Sequence, residues 1–183
     1  MSVKENQQLL GTLKRAAAGL QQAGVPFALA GKFAVHARGG PLSEHDVDFV
    51  ILETDATRAV QALVDCGFRA EDPPEDWLVK AYEDDRLVDL IFRPVERPVT
   101  AETLADTDLL PVQGIRIPVL SATELMIHTM STFCENYCDF SRALPTARSL
   151  REQIDWDRVT RETAHSPYAR AFLFLLERLE ILA

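Results

Sequence analysis

Three aspartates lie within two short apolar segments, where an ionised side chain needs a partner. Asp46 and Asp48 belong to DVDFVILE, and Asp89 belongs to VDLIF. The alternation of side chains along a strand places Asp46 and Asp48 on one face, about 7 Å apart. If a neighbouring strand brings Asp89 to the same point, the three carboxylates repel one another unless a cation lies between them. The pattern therefore predicts a metal site.

Mg²⁺ suits such a cluster because it binds a few carboxylates together with phosphate oxygens and water. In phosphoryl-type transfer, two such ions about 4 Å apart can activate an attacking hydroxyl and stabilise the departing pyrophosphate. Asp89 would then be the carboxylate nearest the attacking hydroxyl. In the simpler alternative, Asp46 and Asp48 are only the polar start of a strand, beside Glu44 and His45.

A glycine that follows an apolar run supplies a second candidate site. Gly31 closes VPFALAG and precedes a short helix-like segment. A glycine between a strand and a helix lets the backbone approach a phosphate, while the first N–H groups of the helix are free to bind it. We therefore expect Gly31 and Lys32 to bind the phosphates of a nucleoside triphosphate (NTP), together with Asp46 and Asp48.

These residues resemble the DNA polymerase β-type nucleotidyltransferase superfamily. Its minimal members have a glycine turn, then two acids on one strand, then a third acid on another, and here these motifs read AGK, DVDF and VDLI within residues 25–92. Lys32 departs from the pattern, because the superfamily has Gly or Ser at this place. The lysine could pair with the β- or γ-phosphate, or it could fill the pocket and lower activity.

The later segments ATELMIHTM and NYCDF look like AbiEii-type nucleotidyltransferases, which are toxins of toxin–antitoxin pairs. The resemblance implies transfer of a nucleoside monophosphate (NMP) to an acceptor hydroxyl, with the tRNA 3′ end as acceptor and an antitoxin as partner. It also implies that Asp139 orders the helices on the acceptor side.

Sequence periodicity predicts an α+β fold with a mixed sheet, an N-terminal helix and a C-terminal helical bundle. Residues 4–23 have helical spacing, WLVKAY and RLVDLIF form a hairpin, and Pro118 confines the last strand to a sheet edge or a strand end. Helices follow, including one over residues 135–152 that Pro145 bends or breaks. We expect a catalytic core of residues 1–120 and a helical region of residues 121–183.

Composition narrows the class of protein. The chain of 183 residues has a net charge of −9 and no apolar run of membrane-spanning length, and its start lacks the pattern of a signal peptide, which predicts a cytoplasmic protein. A local basic face remains conceivable on the C-terminal helices, although pairing with nearby acids explains these arginines as well. They are Arg142, Arg148, Arg151, Arg158 and Arg161.

Three functions compete. The first is NMP transfer to tRNA, with an antibiotic nucleotidyltransferase acting on an aminoglycoside or a lincosamide as its alternative. The second is nucleotide binding without turnover, which Lys32 suggests, and the third is a pure interaction protein. His36 and His128 are interpreted as structural or rim residues. Packing explains Trp77, Trp156 and Tyr168, although each could stack on a base.

Overall fold

A computed structural model describes residues 3–41, 46–71 and 74–182. Seven strands form one sheet in the order β3-β4-β5-β2-β1-β7-β6. The strands are β1 (Phe27–Leu29), β2 (Asp46–Ile51), β3 (Arg69–Glu71), β4 (Leu78–Glu83), β5 (Arg86–Ile91), β6 (Thr107–Val112) and β7 (Ile115–Leu120). Strand β2 runs parallel to β5, and β1 runs parallel to β7, while the other pairs are antiparallel.

Eight α-helices accompany the sheet in the described residues. They are α1 (Val3–Gln22), α2 (Gly31–Ala37), α3 (Ala56–Asp65), α4 (Ala101–Ala105), α5 (Ala122–Ser131), α6 (Phe140–Leu150), α7 (Trp156–Glu162) and α8 (Pro167–Arg178). Helices α1 and α3 pack on each other and on the strands around β5, while α2 and α5 pack together near β2. The α+β fold with a mixed sheet and helices at both ends is confirmed. No helix among the described residues is long and apolar enough to cross a membrane.

Local sequence explains the elements that lead to the predicted acids. Helix α1 buries Leu9, Leu13 and Leu20, which recur at helical spacing, and the chain then turns at Gly24 with φ +63°. The β4–β5 hairpin closes through a two-residue turn in which Asp84 adopts φ +53°. The predicted hairpin is therefore present, and it places Asp89 in the middle of the sheet.

Several elements differ from the prediction. Strand β7 is not an edge strand, because β6 pairs with its outer side. Pro118 is tolerated within β7 because the pairing of β7 with β1 is limited to Leu29↔Val119, so the proline interrupts no long ladder on that side. Helix α6 begins at Phe140, later than predicted, and continues unbroken through Pro145. Its buried Ala147 and Leu150 hold it against the other helices. The division at residue 120 coincides with the end of the last strand, and its status as a domain boundary stays a prediction.

An ionic network centred on one buried carboxylate, that of Glu124, joins the C-terminal helices to the segment after β5. Glu124 on α5 is 1% exposed and accepts hydrogen bonds from Arg97, at 3.0 Å, and from Arg158. Arg158 also bonds to Asp106 and Glu162, at 2.6 Å each, and Arg97 reaches Glu162 at 2.6 Å. The network connects four segments that are distant in the sequence, so it fixes α5 and α7 relative to the sheet.

We expect Glu124→Gln to lower the free energy of unfolding by roughly 1 to 3 kcal/mol, because it leaves two arginines without their buried carboxylate. Urea unfolding measures this loss. Glu152→Gln is the control, because Glu152 pairs with Arg151 at the surface and is 82% exposed, so its loss changes stability by less than about 0.5 kcal/mol. Equal effects of the two substitutions would contradict a stabilising role for the buried network.

Candidate active site

Two adjacent parallel strands bring the three predicted aspartates together. Asp48 on β2 lies in register with Asp89 on β5, and Asp46 lies two residues earlier on β2. One carboxylate oxygen from each of the three lies within 4.8 Å of the others. Val47 and Phe49, which alternate with Asp46 and Asp48, are fully buried on the other face. The predicted convergence of the side chains is thus present in the structure.

The carboxylates interact unfavourably when no cation is bound. Burial, followed by the charges of Asp46 and Asp89, raises the pKa of Asp48 to about 8. Burial and the charge of Asp46 raise the pKa of Asp89 to about 6, although Lys80, its cross-strand neighbour, opposes the shift. The folded chain thus holds acidic groups in a place where their ionisation is costly.

The buried oxygen Oδ1 of Asp89 points to the same conclusion. It has no hydrogen-bond partner among the described residues. A buried carboxylate oxygen without a partner is costly, whereas a divalent cation would both ligate it and offset the repulsion. Asp46, Asp48 and Asp89 therefore fit a hard, oxygen-liganded cation. The identity of that cation as Mg²⁺ and the presence of two ions stay predictions.

Gly31 is required by the position of Asp48. Its φ is +58°, and a Cβ atom at this place would lie 1.8 Å from Oδ2 of Asp48. The adjoining backbone is also fixed, because the N–H of Ala30 donates to the carbonyl of Asp48 at 2.8 Å. The sequence predicts that this glycine binds phosphate. The structure adds a second reason why a glycine stands here, which is the space that the Asp48 carboxylate occupies. Lys32 follows at the start of α2, and its contact with a phosphate stays a prediction.

A cavity of about 800 Å³ opens beside Asp48 and Gly31. Strands and their connections supply one side of it, and α5, α6 and the segment between them supply the other. Its lining includes Lys32, Trp77, Arg93, Val95, His128, Thr129, Thr132, Tyr137, Asp139 and Arg142. The volume falls in the range of small-molecule sites. The cluster of aspartates therefore adjoins a space that could hold a substrate.

The cavity revises the interpretation of several residues. Trp77 and His128, which sequence analysis treated as packing or rim residues, both line it, and so does Tyr137, which sequence analysis did not single out. His128 and Tyr137 lie in the segments ATELMIHTM and NYCDF, whose resemblance to AbiEii-type enzymes gives them no role, and Trp77 lies outside these segments, so only their positions after folding reveal them. Asp139 caps α6 through the N–H of Ser141, at 3.0 Å, and also lines the cavity.

Three further residues that the sequence offered as possible site residues do not line the cavity. His36 contacts the carbonyl of Gly40 at 3.3 Å, and the indole N–H of Trp156 donates to the carbonyl of Arg151 at 3.0 Å. Neither His36, Trp156 nor Tyr168 is among the described lining residues of the cavity. Glu44 and His45, which the simpler interpretation of the strand start invoked, lie outside the described residues.

The family comparison agrees with this arrangement. A family model described as uncharacterised nucleotidyltransferase matches residues 1–183. The chain belongs to this nucleotidyltransferase family. It is accordingly an enzyme of the nucleotidyltransferase class, and the resemblance to nucleotidyltransferases is confirmed. The finer AbiEii-type assignment stays a prediction. Among curated proteins, none matches the sequence significantly.

Solved structures share the fold of this nucleotidyltransferase at low identity. ANT(2″)-Ia in complex with adenylyl-2″-tobramycin has a TM-score of 0.66 and 14% identity, over 88% of this chain and 97% of that chain. The lincosamide antibiotic adenylyltransferase LnuA has a TM-score of 0.51 and 12% identity, over 80% of this chain and 94% of that chain. An antigenic nucleotidyltransferase-like protein from Paracoccidioides brasiliensis has a TM-score of 0.53 and 15% identity, over 97% of this chain and 90% of that chain.

We expect Gly31→Ala to displace the Asp48 carboxylate, in addition to the roughly 1 to 2 kcal/mol that a side chain costs at positive φ. Gly24→Ala is the matched control, since Gly24 has φ +63° and a Cβ there meets no atom within 4 Å. Thermal unfolding with and without Mg²⁺ compares the two. Only Gly31→Ala should lose the stabilisation by Mg²⁺, and the same loss in Gly24→Ala would exclude a specific role for the contact.

Asp48 should make the metal-free enzyme less stable as pH rises from 3.8 to about 8, most clearly above 6.5, where the raised pKa of Asp89 and the lowered pKa of His128 no longer contribute. In this window the folded chain retains a proton on Asp48 that the unfolded chain releases, so the free energy of unfolding falls with pH. Asp48→Asn removes this contribution and should flatten the dependence, as measured by urea unfolding in EDTA. Asp84→Asn, in the hairpin turn, should keep the wild-type slope. An unchanged slope in Asp48→Asn would show that Asp48 ionises normally.

Proposed function

We propose that this enzyme transfers an NMP from an NTP to a hydroxyl of a small molecule, with Mg²⁺ as the metal. We call the receiving molecule the hydroxyl substrate. The proposal depends on one observation, the convergence of Asp46, Asp48 and Asp89 within 4.8 Å beside the cavity. Asp46, Asp48 and Asp89 would hold the metal, which would neutralise charge on the phosphates when bound.

The order of the strands supports a division of the remaining roles. Gly31 follows β1 on one side of β2, whereas Asp89 lies on β5 at the other side. Gly31 and Lys32, which line the cavity, would bind the phosphates of the NTP, and Asp89, which is not among its described lining residues, would face the hydroxyl substrate across the metal site at the edge of the cavity. The hydroxyl oxygen forms a bond to the α-phosphorus, the bond from that phosphorus to the bridging oxygen breaks, and pyrophosphate leaves. The hydroxyl proton passes to the carboxylate of Asp89.

The cavity favours a small hydroxyl substrate. About 800 Å³ is enough for a small molecule beside a nucleotide, and walls from the sheet and from α5 and α6 both contribute to it. ANT(2″)-Ia, in complex with adenylyl-2″-tobramycin, and the lincosamide antibiotic adenylyltransferase LnuA share only the fold with this chain. Tobramycin and lincomycin are therefore reasonable first compounds to test, rather than inferred substrates.

A tRNA substrate has less support from the structure. Binding its phosphates requires a surface of free cations. Arg142 and Arg151 pair with Asp139 and Glu152, and Arg158 belongs to the network around Glu124, so of the five arginines only Arg148 and Arg161 are exposed without an ion pair among the described residues, which is a small cationic surface. What supports the tRNA 3′ end, the toxin role and the antitoxin partner is the resemblance to AbiEii-type enzymes. This hypothesis remains the second candidate for the same transfer chemistry.

Incubation with labelled NTPs and Mg²⁺ separates the candidates. We expect pyrophosphate release and transfer of label to a small hydroxyl substrate, in a panel that includes tobramycin, lincomycin and simple sugars, but no label in total tRNA. Asp46→Asn and Asp89→Asn should each lower the rate at least about a hundredfold, because each removes charge stabilisation in the transition state. Asp65→Asn, on the surface of α3, is the control and should retain full activity.

Label that enters tRNA alone would replace the small-molecule proposal with the second candidate. Binding of a nonhydrolysable NTP, without pyrophosphate release from any hydroxyl substrate tested, would favour a module that binds nucleotide without turnover. Full activity in Asp46→Asn and Asp89→Asn would overturn the assignment of the site.

A further inference from the structure

Val95 adopts a backbone conformation that is unfavourable for its own side chain. It lies in a turn that the N–H of Arg97 closes by donating to the carbonyl of Pro94 at 3.0 Å. Within this turn Val95 has φ +51° and ψ +48°. Glycine and asparagine adopt this left-handed region readily, whereas a β-branched residue is strained there. A valine at this position therefore lowers the stability of the fold unless something else compensates for the strain.

Packing in the protein interior does not compensate for this strain. Val95 is 47% exposed, so its side chain gains little from hydrophobic burial. It lines the cavity beside Asp48 and Gly31 instead. Residues held in unfavourable backbone conformations cluster at ligand sites, where the surrounding structure keeps them in place for a contact. The position of Val95 thus points to a ligand in the cavity.

Contacts on both sides of the turn prevent it from relaxing. Before the turn, the guanidinium of Arg93 donates to the carbonyl of Asp76 at 2.8 Å and pairs with the carboxylate of the same residue at 2.9 Å. After the turn, Arg97 donates to the buried Glu124 at 3.0 Å and to Glu162 at 2.6 Å. The conformation of the turn is therefore set by these anchors and not by the preference of the valine within it.

Val95 lies in an apolar part of the cavity, on the side of β4 and β5. The carbonyl of Trp77 accepts the N–H groups of Phe92 and Arg93, both at 3.1 Å, so the segment before β4 is bonded to the segment after β5. The lining residues from β2, β5 and these two segments include five with apolar side chains, which are Val50, Trp77, Ile91, Pro94 and Val95. Gly31, which follows β1, lies on the other side of β2. The apolar part is therefore on the side that the proposed function gives to the hydroxyl substrate.

We propose that Val95 is a specificity-determining residue, whose strained backbone holds its isopropyl group against a hydroxyl substrate with an apolar surface, such as an aromatic alcohol. This inference rests on the proposed function, since the ligand it describes is the hydroxyl substrate. Packing on Val95 and Trp77 involves no hydrogen bond, so the size and shape of the apolar surface decide which alcohol fits. The phosphates of the NTP are hydrated anions that gain nothing from this contact, so they belong at Gly31 and Lys32.

Benzyl alcohol and glycerol test the preference for an apolar surface. Both compounds carry hydroxyl groups, but only benzyl alcohol has an apolar ring. Ligand-observed NMR titration of the full chain, with Mg²⁺ and a nonhydrolysable ATP analogue, measures the Kd of each. We expect saturable binding of benzyl alcohol and a Kd for glycerol that is at least about tenfold higher.

Two substitutions of Val95 separate the contact from the strain. Val95→Ala removes two methyl groups and should weaken the binding of benzyl alcohol at least about fivefold. Val95→Gly should weaken it to a similar extent. It should also raise the midpoint of thermal unfolding by about 2 to 4 °C, because glycine adopts a positive φ without strain. A residue with a purely structural role would give this gain in stability without any change in the Kd.

Gln113→Gly is the matched control for the release of strain. Gln113 also has a positive φ, of +49°, but it lies in the exposed turn between β6 and β7 and is not among the described lining residues of the cavity. Its replacement should raise the midpoint by a similar amount and leave the Kd for benzyl alcohol unchanged. None of the three substitutions should change the affinity for the ATP analogue.

Four results would each overturn the inference. The first is no saturable binding of benzyl alcohol, or equal binding of glycerol, by the wild-type chain. The second is an unchanged Kd for benzyl alcohol in Val95→Ala. The third is an unchanged or lower midpoint of unfolding in Val95→Gly, which would show that the valine is not strained. The fourth is weaker binding of the ATP analogue in Val95→Ala, because the side chain would then contact the nucleotide.

Failure of the proposed function gives a different result. If the enzyme neither binds the ATP analogue nor releases pyrophosphate, the nucleotidyl transfer proposal fails at Asp46, Asp48 and Asp89. Titrations of benzyl alcohol without nucleotide still report on Val95 alone. Normal pyrophosphate release, together with an unchanged Kd for benzyl alcohol in Val95→Ala, would leave the transfer chemistry standing and remove the inference.

Discussion

Repulsion among three carboxylates is the constraint on which the rest of this structure depends. Backbone pairing of β2 with β5 places Asp48 beside Asp89 and leaves the side chains little freedom to separate. The cost appears in the raised pKa values of both residues and in the unpaired Oδ1 of Asp89. A sheet can hold such a group because Val47 and Phe49 are packed on its other face, so the site is prearranged for a cation.

The surrounding elements follow from this arrangement. Gly31 has no side chain because the Asp48 carboxylate occupies the space that a Cβ would need. The network around Glu124 fixes α5 against the segment after β5, so the cavity has two firm sides. The same carboxylate lies next to His128, which links the packing of the helices to the chemistry of the cavity.

Sequence analysis found the part of the site that depends on local pattern. The alternation of DVDF and the apolar surroundings of Asp89 were enough to predict that the acids share one face. Strand β3 and helix α4 are too short to give a periodic signal, whereas β6 is as long as β2 and is hidden by Pro111, which favours a connection. Pro118 was assigned to an edge or a strand end because sequence does not show that β6 covers β7.

The cavity lining could not be predicted for a different reason. His128 and Trp77 gain their positions from packing between distant segments, and the resemblance of ATELMIHTM gives no role to His128 within it. His128 lies 3.6 Å from the carboxylate of Glu124, which is buried together with its hydrogen bonds to Arg97 and Arg158. Such dependence on several remote contacts leaves no periodic signal in the sequence.

The most direct test of the metal site is anomalous diffraction from crystals grown with Mn²⁺ and a nonhydrolysable NTP. The account predicts a manganese peak within bonding distance of carboxylate oxygens from residues 46, 48 and 89, next to the phosphates of the nucleotide. A nucleotide bound in the cavity without any peak at these aspartates, or a peak held by other residues, would contradict it.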